Sequence, residues 1–232
     1  MPLRKIFSRS PVTARVAPFA IFVLLTAAQG RFGPASAYWF YLAKTLVGLW
    51  LIFEIHPLVP ELRWAFSWEA VAVGVGIFAV WVGISGGGTT QNSLWVKLGL
   101  SHAPKMAPPL WNPHEHFGPA LAGLFIVTRI LGSTWIVPPL EEVFYRSFLY
   151  RYIASQNFLD IPLNRFFPGP FLATAAMFGF SHNEWLAGIV CGAAYQWLVL
   201  RKNRLGDAMT AHAITNFLLG VWVVWRGAWN FW

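Results

Sequence analysis

The chain has 232 residues, of which 56% are hydrophobic and only 11% are charged, and its formal net charge is +8. An average soluble domain has roughly 25% charged residues, so this composition excludes an ordinary soluble domain and indicates a polytopic membrane protein. A basic excess in such a chain usually reflects cytoplasmic loops that face anionic headgroups, and it makes no case for nucleic acid binding. Cys191 is the single cysteine, so we expect neither a disulfide framework nor a cysteine-based metal site.

The apolar stretches predict an all-α bundle of about eight transmembrane helices, integral to a membrane that we expect to be the bacterial inner membrane. The basic N-terminus resembles the start of a signal peptide, but further apolar stretches follow, so we interpret the first stretch as a transmembrane helix. Several stretches are shorter than the ~20 residues that cross a bilayer unaided. In chain order, the predicted spans are Val16–Ala28, Tyr38–Phe53, Ala70–Ser85, Phe117–Val137, Leu140–Ala154, Phe171–His182, Trp185–Leu200 and Ala208–Trp225.

A long polar connection, Gly86–Glu115, contains Gly86-Gly87-Gly88 and several prolines and is therefore predicted to be a loop. It divides residues 1–116 from residues 117–226 within a single membrane domain, 1–232. The positive-inside rule places both the basic N-terminus and Arg201–Arg204 in the cytoplasm. However, an odd number of predicted spans separates them, so either one span is miscounted or re-entrant, or the rule fails at Arg201–Arg204.

Polar residues on three apolar segments of the second half predict a site. Ionisable groups in a bilayer cost about 2.5–3.5 kcal/mol each on insertion scales, which calls for pairing or for chemistry. In the first group, Pro138-Pro139 fits a helix start, and Glu142 and Arg146 are four residues apart, as in an ion pair on one helical face. Glu141 then points about 100° away. Simple capping and pairing at an interface explains this group alone equally well.

The other two groups are Phe178…His182 and His212…Asn216, each with helical i, i+4 spacing. Phe178 is predicted to pack against the His182 imidazole and to leave its nitrogens available for hydrogen bonding. Taken separately, a His/Asn pair in a span is more often a hydrogen-bonding contact between helices than a site. The three groups together favour a site.

The ordered motifs EExxxR (Glu141–Arg146), FxxxH (Phe178–His182) and HxxxN (His212–Asn216) resemble those of the CPBP intramembrane proteases. This family includes the type II CAAX prenyl endopeptidases and the Abi proteins. The resemblance covers roughly residues 117–226. The length and the tryptophan-rich composition are also similar to a subset that accompanies bacterial exosortase-type sorting systems.

The resemblance implies a helical bundle with a conical cavity that opens to the cytosolic face. It also implies an endopeptidase that cleaves a membrane-associated protein or peptide, with or without a lipid anchor, by activated water, with no covalent intermediate and no cofactor. By position, Glu141 would be the general base, His182 would orient or activate the water, and His212 with Asn216 would stabilise the oxyanion. Glu142, Arg146 and Phe178 would support them. A carboxylate in a low-dielectric cavity suits proton transfer, and amide or imidazole donors suit an oxyanion.

Three alternatives remain open at this stage. A zinc hydrolase could use Glu141, His182 and His212 as ligands, although HExxH is absent and His114-Glu115-His116 is better explained as an exposed turn. A transporter could use intramembrane charges, including Arg129 and Lys44, as a proton relay, but all three motifs fall in one half of the chain. A non-catalytic scaffold or immunity protein could keep the fold without turnover.

Overall fold

The structure is a computed structural model that describes residues 2–84 and 111–232, and the described residues form helices and no β-strand. The all-α class predicted from the sequence is confirmed. Short 3₁₀ turns at Pro113–Glu115, Phe158–Asp160 and Trp229–Phe231 accompany the main helices. These helices are α1 Pro2–Phe7, α2 Pro11–Ala27, α3 Ser36–Ile55, α4 Trp68–Ile84, α5 Pro119–Ala154, α6 Pro168–Phe180, α7 Trp185–Lys202 and α8 Gly206–Arg226.

Helix α5 corrects one prediction, because the predicted spans Phe117–Val137 and Leu140–Ala154 form a single continuous helix of 36 residues. Pro138-Pro139 was interpreted as a helix start, yet it lies in the interior of α5. Interior prolines remove backbone donors and crowd the preceding turn. A π-helical segment at Gly132–Ile136 directly precedes them, and a second follows at Val143–Leu149. We infer that the wider turns accommodate the proline rings without ending the helix.

The remaining boundaries shift by a few residues. Helix α6 ends at Phe180, so His182 lies in the turn before α7 and not in a span. Helix α1 was not predicted. Most of the predicted loop Gly86–Glu115 lies outside the described residues, and its end forms the Pro113–Glu115 turn. By length and composition, three described helices, α3, α5 and α8, can cross a membrane, and α2 and α4 are shorter apolar helices.

Polarity is distributed as a bilayer requires, with charges inside and apolar side chains outside. Glu54, Glu142, Arg146 and Asp207 are completely buried. Large apolar side chains on the outer faces of the long helices are exposed, among them Leu46, Leu49, Val127, Leu131 and Phe217. A soluble monomer rarely exposes so extensive an apolar surface. The outer faces of α3, α5 and α8 are therefore suited to contact lipid.

A glycine allows a close helix contact beside the site. A Cβ atom at Gly74 of α4 would lie 2.7 Å from the carbonyl oxygen of Ala211 in α8. The Thr215 hydroxyl uses this close approach to donate a hydrogen bond to the Gly74 carbonyl, at 2.8 Å. Small residues at such crossings let helix backbones approach closely. The contact fixes the register of α8 next to His212.

A buried polar cluster, which we call the Glu61 network, joins α2, the α3–α4 connection and the end of α5. The Glu61 carboxylate lies 2.8 Å from Arg15 Nη2 and 2.8 Å from Arg151 Nη2, and it also accepts a hydrogen bond from the Ser147 hydroxyl. Burial by itself would raise the pKa of Glu61, but the charge of Arg15 and the hydrogen bonds from Ser147 and Arg15 outweigh it. The pKa of Glu61 is lowered from 4.5 as a result.

The same end of the bundle contains both basic segments of the sequence. The Glu61 network places the start of α2 beside the end of α5, and Lys202 Nζ reaches Glu69 at the start of α4 at 2.6 Å. We call this end, with the α3–α4 and α7–α8 connections, the basic end. Among residues 2–84 and 111–232, six helices, α2 to α7, lie between the two basic segments, which is an even number. The merging of two predicted spans into α5 thus resolves the conflict with the positive-inside rule.

Candidate active site

The predicted residues Glu141, Glu142 and Arg146 lie on α5 at the centre of the bundle. Arg146 Nε lies 3.1 Å from Glu142 Oε2 across one helical turn, and both side chains are completely buried. The structure thus contains the ion pair that the spacing predicts. The pair is close but not aligned as a hydrogen bond, because both atoms lack a partner of hydrogen-bond geometry. Arg146 also donates to the Gly192 carbonyl and packs over the Phe178 ring, 4.4 Å from its centroid.

The second oxygen of Glu142 makes a contact that the sequence did not predict. Glu142 Oε1 lies 2.9 Å from His212 Nδ1, which joins α5 to α8. An ionised carboxylate can only accept, so Nδ1 carries the hydrogen and donates it. In a neutral ring, Nε2 then carries the lone pair. Glu142 therefore sets both the orientation and the tautomer of His212.

Phe178 packs against both histidines of the predicted site. Its ring centroid lies 4.6 Å from that of His182 and 6.0 Å from that of His212. His182 Nδ1 lies 2.7 Å from the Phe178 carbonyl oxygen, so this nitrogen donates and Nε2 of a neutral ring carries the lone pair. The packing predicted from the i, i+4 spacing is present, together with a backbone hydrogen bond that orients the imidazole.

Asn216 is positioned by the first π-helical segment of α5. Its Nδ2 donates a hydrogen bond to the Ser133 carbonyl at 2.8 Å. A side-chain amide has two N–H donors, so one N–H remains for another acceptor. Widened turns of this type occur often at functional sites. Here the π segment supplies the carbonyl that holds Asn216.

A cavity of about 200 Å³ brings three of the predicted residues together. His182, His212 and Asn216 all line it, and Phe178 forms part of its wall. Glu141 is not among the lining residues, whereas Val137, one turn earlier on α5, is. The cavity also contacts side chains of α3, α4, α5 and the C-terminal segment, namely Tyr41, Trp81, Arg129, Phe231 and Trp232.

Glu141 lies at the edge of this group with an unsatisfied carboxylate. Its Oε2 is buried and has no hydrogen-bond partner among the described residues. The ionisable groups near it are His212, Glu142, Arg146 and Lys44. A buried carboxylate oxygen without a donor is costly, and in native proteins such an atom calls for an explanation such as catalysis. Glu141 can therefore accept a proton, or a hydrogen bond from a water molecule.

Sequence reasoning missed several polar residues in or next to the cavity. Glu184 lines it in the α6–α7 turn and is close enough to interact electrostatically with His182. Tyr195 stacks on His212 with ring centroids 5.1 Å apart and donates to the Thr215 hydroxyl at 2.8 Å. Glu184 follows His182 by two residues, a signal that could have been used. Tyr195 reaches His212 through packing between helices, and no spacing pattern in the sequence indicates that contact.

The zinc hydrolase alternative would use Glu141, His182 and His212 as metal ligands. Among residues 2–84 and 111–232, no three or more His, Cys, Asp or Glu side chains are grouped so that they could hold a metal ion. His114, Glu115 and His116 are exposed, and Asn112 donates to the Glu115 carboxylate. Cys191 is buried at the cavity wall.

Comparison with known proteins identifies the class. The family described as type II CAAX prenyl endopeptidase Rce1-like matches residues 121–218, which include all three motifs. No curated protein and no solved structure matches the chain. The match over these residues supports the CPBP/CAAX protease family, as the resemblance predicted. At the level of the family, this supports a CAAX-type membrane endopeptidase, and the apolar helices identify an integral membrane protein.

Proposed function

We propose that the protein is an intramembrane endopeptidase that hydrolyses a peptide bond of a membrane-associated protein or peptide with activated water. The observation that carries this proposal is the buried, unsatisfied carboxylate of Glu141, beside a cavity lined by His182, His212 and Asn216. The family match over the same residues supports it independently.

In this mechanism Glu141 and His182 act on the water. Glu141 has an oxygen without a donor, so it accepts the proton as the water attacks the scissile carbonyl. His182 donates Nδ1–H to the Phe178 carbonyl, so its Nε2 lone pair orients the water. The proton then passes to the leaving amine. No acyl-enzyme forms, because water itself is the nucleophile.

His212 and Asn216 stabilise the oxyanion. Asn216 uses the N–H that the Ser133 carbonyl does not occupy. His212 already donates from Nδ1 to Glu142, so its Nε2 can donate only when the ring is protonated. The Glu142 carboxylate holds the imidazole in this orientation, and Arg146 lies beside Glu142 on the next helical turn. Each such donor is worth about 2.7–4 kcal/mol in the transition state when water is excluded.

The test compares membrane proteomes of the native host that carries either the wild-type chain or the Glu141→Ala variant. We expect new protein termini that depend on Glu141, and accumulation of their precursors in the variant. Glu115→Ala is the matched control, because Glu115 is an exposed carboxylate outside the cavity. Identical termini in the wild type and in Glu141→Ala, with equal protein levels, would contradict the proposal.

A further inference from the structure

We infer that Arg129 forms a second recognition site within the cavity, which binds a carboxylate of the substrate polypeptide close to the scissile bond. An acidic side chain and a C-terminal carboxylate share this chemistry, because both present two oxygens to a guanidinium. The role in substrate recognition rests on the proposed function. The anion-binding character of the site does not, since it follows from the contacts and charges around Arg129 alone.

Arg129 lines the cavity, and its guanidinium lies among three aromatic rings that we call the aromatic cage. Its Cζ atom is 4.4 Å from the ring centroid of Trp111, 4.9 Å from that of Tyr41 and 5.1 Å from that of Trp232. The Tyr41 hydroxyl also donates a hydrogen bond to the Arg129 carbonyl at 3.3 Å, which joins α3 to α5 at this point. Aromatic faces attract a cation through their quadrupoles. The cage therefore holds the guanidinium in place without supplying a negative charge.

No carboxylate side chain of the chain neutralises this cation. All nine acidic residues lie within residues 2–84 and 111–232, which the structure describes. Five of them pair with other cations, namely Glu54, Glu61, Glu69, Glu142 and Asp207. The remaining four form no ion pair with Arg129 in these ranges, namely Glu115, Glu141, Asp160 and Glu184. An ionisable side chain inside a membrane bundle is costly, and by default it marks a functional site.

The aromatic cage contributes a further hydrogen-bond donor. Trp111 is 8% exposed, and its indole Nε1 is buried without a hydrogen-bond partner among the described residues. An indole N–H can only donate, and so can a guanidinium. The hydrogen-bonding capacity around Arg129 therefore calls for acceptors and for negative charge. A carboxylate supplies both.

This site is close to the residues that are proposed to stabilise the oxyanion. Ser133, whose carbonyl accepts the hydrogen bond from Asn216, lies one turn after Arg129 on α5, and all three residues line the same cavity. Four residues of helix correspond to about 6 Å. An extended polypeptide advances about 3.3–3.6 Å per residue, so a carboxylate at Arg129 lies about two residues from the scissile carbonyl. Arg129 thus selects and aligns the substrate, and it takes no part in the proton transfers.

The experiment measures how four forms of one peptide bind to the purified protein in detergent. The probe is an apolar pentapeptide with an N-terminal dansyl group, which accepts excitation energy from the tryptophans of the cavity wall, Trp81 and Trp232. It carries either glutamate or glutamine at one position, and it ends in either a carboxylate or an amide. Every protein sample also carries Glu141→Gln, so that no peptide is consumed by cleavage.

Three further substitutions are compared in that background. Arg129→Gln removes the charge, and Arg129→Lys keeps a charge without the planar guanidinium. The matched control is Arg226→Gln, because Arg226 also lies over two tryptophan rings but is exposed and is not part of the cavity wall. Melting temperatures are measured for all samples. The comparison of the four peptides on the protein that keeps Arg129 remains decisive even if Arg129→Gln does not fold.

We expect peptides that carry a carboxylate to bind at least about tenfold more tightly than the neutral form, as for a hydrogen bond to a charged group. Arg129→Gln should abolish this preference, Arg129→Lys should retain part of it, and Arg226→Gln should leave it unchanged. A preference for glutamate identifies a side-chain carboxylate as the ligand, and a preference for the free C-terminus identifies the C-terminal one.

Equal binding of all four forms, or no binding of any form, would overturn the inference. A preference that persists in Arg129→Gln would also overturn it, because another group would then bind the carboxylate. Binding is measured without turnover, so failure of the proposed function leaves this result readable.

Discussion

Two buried polar clusters lie on the same helix, α5, and they differ in how completely their atoms are paired. In the Glu61 network, a single carboxylate oxygen receives two arginines and a serine hydroxyl. In the central cluster, Glu142 is shared between Arg146 and His212. Glu141 Oε2 and Arg146 Nη1 are buried there without a hydrogen-bond partner in the described part of the chain. In the first cluster, no buried side-chain nitrogen or oxygen lacks a hydrogen-bond partner. The second retains unused hydrogen-bonding capacity.

This difference separates a structural role from a chemical one. A saturated network rigidifies a protein, whereas unpaired buried polar atoms are costly and persist where function requires them. The Glu61 network anchors the basic end, about two helical turns from the site along α5. The central cluster can still bind a water molecule and a carbonyl oxygen. Mutations in the two clusters should therefore have different consequences.

The largest effect is expected for Arg146→Ala. This change leaves the Glu142 carboxylate completely buried, with His212 as its remaining partner. Breaking a buried pair from one side costs about 3–5 kcal/mol, so both folding and activity should suffer. Thermal unfolding in detergent, measured with activity per folded molecule, tests this. An unchanged melting curve would show that the pair contributes nothing to stability.

A smaller loss, confined to chemistry, is expected for Asn216→Ala. If Asn216 donates to the oxyanion, kcat should fall by about 10²–10³-fold with nearly unchanged KM, because the interaction strengthens in the transition state. The hydrogen bond to Ser133 is also lost, so melting is measured alongside. Asn216→Asp serves as a comparison, because it keeps the shape and removes the donors. Equal activity of wild type and both variants excludes the oxyanion role.

Glu61→Gln should affect stability and leave catalysis intact. The substitution removes the charge that neutralises Arg15 and Arg151. We expect the free energy of unfolding to fall by about 3 kcal/mol, the low end of the range for breaking a buried pair, because the carboxylate is 13% exposed. Activity per folded molecule should remain within a factor of two or so. The matched control is Glu69→Gln, because the Glu69 carboxylate is 41% exposed and its substitution should lower stability much less. A selective loss of activity in Glu61→Gln would remove the distinction between the two clusters.

The smallest effect concerns pH. The pKa of Glu61 is lower in the folded protein than its ordinary value of 4.5, so its contribution is complete above that value and is lost as pH falls through the folded pKa. The wild-type melting temperature should therefore fall more steeply below about pH 4.5 than that of Glu61→Gln. Parallel curves for the two proteins would mean that Glu61 is not paired as described.

Local contacts were predictable from the sequence, and contacts between helices were not. The Glu142–Arg146 pair and the packing of Phe178 on His182 follow from i, i+4 spacing on one helix. The hydrogen bond between Glu142 and His212 joins residues 70 positions apart, and no spacing rule indicates it. Pro138-Pro139 misled the prediction because π-helical turns accommodate prolines that usually end a helix. The glutamate-histidine roles themselves stay predictions.

The most direct test of the central claim is single-turnover cleavage of a substrate found in the proteome comparison, by purified wild type and by Glu141→Gln and Glu184→Gln. Both carboxylates lie near a cavity histidine, so the pair tests which one is the base. We predict that Glu141→Gln lowers the rate at least 10²-fold with an unchanged melting temperature, and that Glu184→Gln has a smaller effect. Full activity of Glu141→Gln would contradict the account. Stoichiometric zinc in the wild type that is lost in His182→Ala and His212→Ala would replace it with a metalloprotease mechanism.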